Sequence, residues 1–192
     1  MIFLVFFSSF LFSEPLYFQG QPIKGDHFIS PQLKTLFKKN QTFGPEEILN
    51  KDQKLWAKAK GPIPKFGFNQ SAWATFSVEN RGDTAKKLWL KHLYMHTDHL
   101  SLYRLQKGDL SHLLTLGDRY PWGRMDPVNL VPTFPLEILP GENQFYLFLR
   151  SRETTVFPFL LSDNPQTHPW DLATVGICLA ILFFLFFYLL WD

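Results

Sequence analysis

A single cysteine, Cys178, excludes an internal disulfide. Any exported part of this chain must then be held by packing alone, which suits a bacterial periplasmic domain better than a small eukaryotic ectodomain. The fingerprints of common catalysts are missing: no Gly-x-Ser-x-Gly, no His-Glu-x-x-His, no Walker loop and no Gly-x-Gly-x-x-Gly. Carboxylates are spread singly rather than paired in an apolar setting. No catalytic residue, no enzyme activity and no cofactor are therefore expected. Charge of one sign is scarce as well, with 19 Lys and Arg against 17 Asp and Glu and a net charge of +2. That is too mild to argue for a nucleic acid partner. A βαβ rhythm is also lacking, which excludes a doubly wound parallel sheet.

Charge is absent altogether from two stretches. Leu172–Trp191 reads LATVGICLAILFFLFFYLLW, without a charged residue or proline. It supplies the roughly 20 apolar residues that a helix needs to cross a ~30 Å hydrocarbon core. It shows none of the polar striping expected of a surface helix in a soluble domain. It is read as a transmembrane helix, which makes the membrane a partner. Met1–Ser13 is almost wholly apolar and is followed by Glu14-Pro15. It is too short to span and fits a signal peptide, although no Lys or Arg precedes it. The expected organisation is a signal peptide at 1–13, a lead-in at 14–32, a domain at 33–163, a linker at 164–171 and the span at 172–191. Residues 14–171 are then periplasmic, outside a cell inner membrane.

Within the domain, Ile29, Leu33, Leu36, Phe28 and Phe37 are candidate core contacts. Gly44-Pro45-Glu46-Glu47 starts a short helix, with Thr42 as its cap, Pro45 in the first turn and two acids at the positive end of the dipole. From Ala72 onwards the pattern changes to short alternating runs divided by turn residues. Ala74, Phe76 and Val78 share one face of a strand over 72–80, and Thr75, Ser77 and Glu79 share the other. Further strands are expected over 87–94, around Leu100, Leu102 and Leu105, and over 110–116, 127–138, 145–150 and 154–161. Phe76, Leu102 and Leu147 should point inward, with Ser77, Ser101 and Tyr146 as their outward neighbours. Seven or so such strands predict a mainly β fold, an antiparallel β-sandwich.

The ordered set Trp56, Phe66-Gly67-Phe68, Ser71-Ala72-Trp73, Val78-Glu79-Asn80, Leu100-Ser101-Leu102-Tyr103, Gly117-Asp118 with Pro121 and Arg124, Phe134-Pro135-Leu136 and Phe145–Arg150 carries a family resemblance. Over Leu33–Ser162 the chain resembles the second extracellular domain type of bacterial seven-transmembrane receptors with diverse intracellular signalling modules. The resemblance implies a signal peptide, a jelly-roll-like sandwich in the periplasm, and seven helices leading to a kinase, cyclase, phosphatase or similar output. Leu172–Trp191 would be the first helix. The other six and the output module are absent from this sequence, so a fragment, or a part completed by a separate signalling chain, is expected.

Two clusters carry residue types suited to chemistry. His92, His96, Asp98 and His99 are of metal-ligand type, but on a strand only His92, His96 and Asp98 share a face. A polar outer face at a strand end is the preferred reading, and no metal is expected. The loop Gly117–Arg124 offers Asp118 and Arg124 as matching hydrogen-bonding groups and Tyr120 and Trp122 as stacking faces. Asp118, Tyr120, Trp122 and Arg124 are the candidate site for an unknown small ligand, with a carbohydrate as one class; alternatively the charged pair pins the loop to the sandwich. The function expected is extracytoplasmic ligand sensing. The rival is a membrane-tethered carbohydrate-binding module without signalling output.

Overall fold

The computed structural model describes residues 16–37, 42–51, 53–58, 65–66, 70–94, 96–120 and 131–165. The expected signal peptide (1–13) and membrane span (172–191) lie outside the described residues. Among those described, no helix is long and apolar enough to cross a membrane.

In chain order the elements are β1 (Leu16–Phe18), β2 (Gln21–Pro22), β3 (Asp26–Phe28), β4 (Lys34–Phe37), α1 (Pro45–Leu49), β5 (Ala57–Lys58), β6 (Lys65–Phe66), β7 (Gln70–Asn80), β8 (Lys86–His92), β9 (His99–Gln106), β10 (Asp109–Leu116), β11 (Thr133–Ile138), β12 (Gly141–Ser151), β13 (Thr155–Val156) and β14 (Phe159–Ser162). The protein is mainly β, and its strand pairs are antiparallel. An eight-stranded sheet runs β10-β9-β12-β7-β1-β2, with β4 joining β7 and β5 joining β4. A four-stranded sheet runs β11-β8-β14-β3, and β13 and β6 form a small pair. The spine is β7 against β12, paired from Gly141↔Asn80 to Ser151↔Gln70.

Strand alternation explains how the two larger sheets meet. Ala74, Phe76 and Val78 of β7, Leu100 and Leu102 of β9, and Phe145, Leu147 and Leu149 of β12 point to one side. There they meet Leu88 and Leu90 of β8, Phe134, Leu136 and Ile138 of β11, and Phe159 and Leu161 of β14 in one buried cluster. Phe76, Leu102 and Leu147 are thus inward, as alternation predicts. The lead-in contributes to both sheets, because Leu16 pairs with Asn80 and Phe28 with Leu160.

The opposite face of the large sheet is not the solvent face that alternation alone suggests. Leu36, Phe43, Ile48, Trp73 and Tyr146 form a second buried cluster there, with Trp56, Tyr103 and Phe148 packed against it. The helix α1 and strand β4 supply its cover. Tyr146 is consequently only 9% exposed; Ser101, which also points away from the inter-sheet core, is 1% exposed and hydrogen-bonds with His99 and Thr115. Trp73 donates its indole N–H to the Phe43 carbonyl at 2.9 Å, so the aromatic is satisfied as well as covered.

Several boundaries differ from expectation for local reasons. The helix is capped at Gly44 rather than Thr42. Glu47 accepts the Gly44 N–H at 2.8 Å, and the Thr42 hydroxyl is instead 3.0 Å from that of Ser71. The strand expected to reach Tyr94 ends at His92, and the one expected from 127 begins at Thr133. Pro132, which has no N–H to give a ladder, precedes it and accepts from the His92 N–H. The strand expected over 154–161 is broken at Phe157-Pro158 into β13 and β14, which lie in different sheets. Phe28 and Phe37 are 36% and 40% exposed, whereas Ile29, Leu33 and Leu36 are buried. On β9 the inward position after Leu102 is Arg104, not Leu105. Its guanidinium lies over the Phe145 ring and donates to the Glu137 carbonyl, while Leu105 packs on the outer cluster.

Candidate functional site

The loop after β10 starts at Gly117, with φ +136. A Cβ there would fall 2.5 Å from the Asp98 carbonyl oxygen, so the close approach requires glycine. Asp118 is exposed, and its N–H donates to the Thr97 carbonyl at 2.9 Å. Partial desolvation raises its carboxyl above the ordinary value. Tyr120 is half-buried, with its hydroxyl 2.6 Å from His99 Nδ1. Trp122 and Arg124, the other candidates of this loop, lie outside the described residues.

The loop is pinned through Asp98. Its carboxylate accepts the Arg152 backbone N–H at 2.6 Å and the Arg119 Nε–H at 3.2 Å. The Arg152 backbone N–H first, then the Arg119 side chain, hold that carboxyl below its ordinary pKa. From Tyr120 a chain of polar contacts continues: His99 Nε2 to the Ser101 hydroxyl (2.8 Å), Ser101 to Thr115 (2.7 Å), and Thr115 to His112 Nε2 (2.8 Å). These groups satisfy one another under partial cover, and burial lowers the pKa of His99.

The histidine-rich stretch does not converge. Among the described residues no group of three or more His, Cys, Asp or Glu could hold a metal ion. His92 is not on a polar outer face as expected. It is fully buried, stacked on Phe159 at 4.6 Å between centroids, with Nε2 2.9 Å from the Thr97 hydroxyl. Burial drives its pKa down to about 3. The alternation Leu88, Leu90, His92 carries that signal, since all three share the inward parity of β8.

The site that sequence reasoning missed is a cleft of about 570 Å³ on the outer face of the large sheet. Its floor comes from three cross-strand rows of β7 and β12: Thr75 with Tyr146, Ser77 with Gln144, and Glu79 with Glu142. One wall is Ile48, Leu49, Lys51 and Trp56, on α1 and the segment after it; the other is the β1–β2 turn with Gln32 and Lys34. Trp56 meets Tyr146 edge to face at 5.8 Å. The Gln144 amide donates to the Tyr146 hydroxyl at 3.0 Å, and Thr75 donates to the Phe145 carbonyl at 2.8 Å. Burial raises the Tyr146 pKa, so its hydroxyl stays protonated. The volume is that of a small-molecule site, and the lining mixes aromatic faces with a few fixed polar groups. Asp118 and Tyr120 do not line it. The signal was present in the outward set Thr75, Ser77 and Glu79, but nothing local foretold that α1 would fold over it.

Residues 30–163 match the family model described as 7TMR-DISM extracellular 2. No curated protein matches the chain.

Proposed function

Since this chain belongs to the 7TMR-DISM extracellular 2 family, we propose that it is the extracytoplasmic ligand-sensing domain of a bacterial membrane receptor. The observation that carries this reading is the family match over 30–163, which coincides with a sandwich bearing a cleft of ligand size. The finer architecture that goes with it is a jelly-roll-like sandwich outside the membrane, a signal peptide at 1–13 and one spanning helix at 172–191. Its partners are then the membrane, a small ligand and a signalling module on further sequence or a separate chain. The role is binding rather than catalysis.

A ligand can bias such a receptor only by binding one state of the domain and helices better than the other. The cleft suits that requirement because its walls belong to different parts of the chain: α1 with its following turn, and the β1–β2 hairpin. Trp56 and Tyr146 also favour the second reading, a membrane-tethered carbohydrate-binding module, since aromatic faces stack on sugar rings. Both readings place 14–171 outside the cytoplasm. A reporter enzyme active only in the cytoplasm, fused after Ser162, should be silent in either case. Activity from that fusion would overturn the extracytoplasmic assignment.

A further inference from the structure

We propose that the cleft takes a short zwitterion, a free peptide of about three residues, with its ammonium group at Glu142 and its carboxylate at Lys34 and Lys51. This names the ligand class of the sensory site and rests on the sensory reading above.

The inference comes from how strand register sorts the charges. Glu142 stands directly opposite Glu79 at one end of the floor. Glu79 already has a cation, since the Arg81 guanidinium donates to it at 3.0 Å while lying 3.9 Å over the Tyr17 ring. Among the described residues Glu142 has no ion-pair partner. Like charges directly opposite on neighbouring strands repel, so a ligand cation at Glu142 gains attraction and relieves that repulsion. At the other end, Lys34 pairs in register with Thr75, two rows from the glutamates. Lys51 lies over the Phe43 ring at 4.5 Å, beside the Trp73 end of the sheet. At about 3.4 Å per residue the two ends are separated by about 14 Å along the strands. That exceeds a Debye length of about 10 Å at 0.1 M salt, so the ends do not neutralise each other across the cleft.

A ligand that satisfies both ends needs opposite charges on an extended body. Three residues of extended peptide span about 10 Å, and the flexible lysine and glutamate stems cover the remainder. The middle of the cleft suits amides. Strands β1 and β4 pair along the same edge of β7, at Glu79–Asn80 and at Ala72–Thr75. Among the described residues no strand is registered with Phe76–Val78 on that edge, and Phe76 and Ser77 line the cleft. Backbone there can pair with a peptide as strands pair with one another. A neutral sugar could stack on the aromatics and hydrogen-bond the charged groups, but it would leave the charge at each end uncompensated.

The test is calorimetric titration of the full chain in detergent with tri-alanine, N-acetyl-tri-alanine, tri-alanine amide and maltose. Tri-alanine should bind, and blocking either terminus should weaken it about tenfold, the loss expected for one charge-assisted contact. Glu142→Gln should weaken tri-alanine about tenfold yet leave N-acetyl-tri-alanine unchanged, and Lys34→Gln should behave likewise toward the amide. The unliganded Glu142→Gln chain should melt no lower than the parent, which a merely structural role for Glu142 would not allow. No binding of tri-alanine at millimolar concentration, or equal binding of its blocked forms, overturns the proposal. Binding of maltose alone overturns the zwitterion while leaving the sensory site standing. The fusion after Ser162 judges the extracytoplasmic reading independently of all four probes.

Discussion

The two faces of the large sheet are built from the same strands, residue by residue, yet obey different rules. The inner face is a continuous apolar layer. Phe76, Phe145, Leu102 and Leu147 have 5% exposure or less and meet a second sheet of similar character. The outer face carries Trp73, Thr75, Ser77, Glu79, Gln144 and Tyr146, half covered by one short helix and a strand. A strand alternates its faces with period two, so one run of sequence writes both. What the cover leaves open on the outer face is the cleft. The inner face therefore holds the molecule together, and the outer one is free to vary its chemistry.

The largest effects should come from breaching the inner face. Phe76→Ala, Leu102→Ala and Leu147→Ala should each destabilise the protein by about 2–5 kcal/mol, through lost burial and the cavity left behind. Ser77→Ala, one residue along from Phe76 and half-buried, should change stability by no more than about 0.5 kcal/mol. Chemical denaturation of the purified variants measures both. Equal losses at Phe76 and Ser77 would erase the distinction between the faces.

This contrast also shows how far the sequence could be read. Period-two alternation is local, so the inward set Ala74, Phe76 and Val78 and the antiparallel sandwich were legible from the chain alone. Whether an outward residue meets solvent is not local. Tyr146 is outward by parity, yet covered by segments far away in sequence, so its burial was not legible. The break at Phe157-Pro158 was not read from the chain, and the change of sheet around it depends on which strands stand ready to pair. In the candidate loop Tyr120 is tied to His99, and Asp98 holds the loop from outside through Arg119; residue types alone do not tell such ties from a ligand's. The cleft is assembled from pieces between Tyr17 and Tyr146, and no single stretch announces it.

Acid should weaken the inner layer through His92. His92 is fully buried beside Phe159 and Tyr94, and burial alone lowers its pKa from 6.5 to about 3. Among the described residues its Nδ1 has no hydrogen-bond partner, so none of them would share a proton there. The sign follows from linkage. Between pH 6.5 and about 3 the unfolded chain takes up a proton that the folded chain refuses, so stability is full above 6.5 and falls as pH falls. By pH 5 the loss should be about 2 kcal/mol. His92→Leu should flatten the decline between pH 7 and 5, measured as denaturation midpoints. A parent protein whose stability does not change over that interval would show that His92 reaches solvent, and that the inner layer is open at the end of β8.

The smallest effect is the most informative about the outer face. Tyr146 has two parts with different surroundings: a ring packed edge to face on Trp56, and a hydroxyl that accepts from the Gln144 amide at 3.0 Å. Tyr146→Phe keeps the ring and removes only the hydroxyl. A typical hydrogen bond contributes about 1 kcal/mol net, and this one lies beside a cleft where the Gln144 amide can turn to water instead. The expected loss is therefore about 1 kcal/mol or less, well below that of Leu147→Ala on the next residue. A loss of several kcal/mol would mean that the Gln144 amide is stranded in a closed interior. The floor of the cleft would then be closed to water at Gln144, and a ligand would find no polar surface there to read.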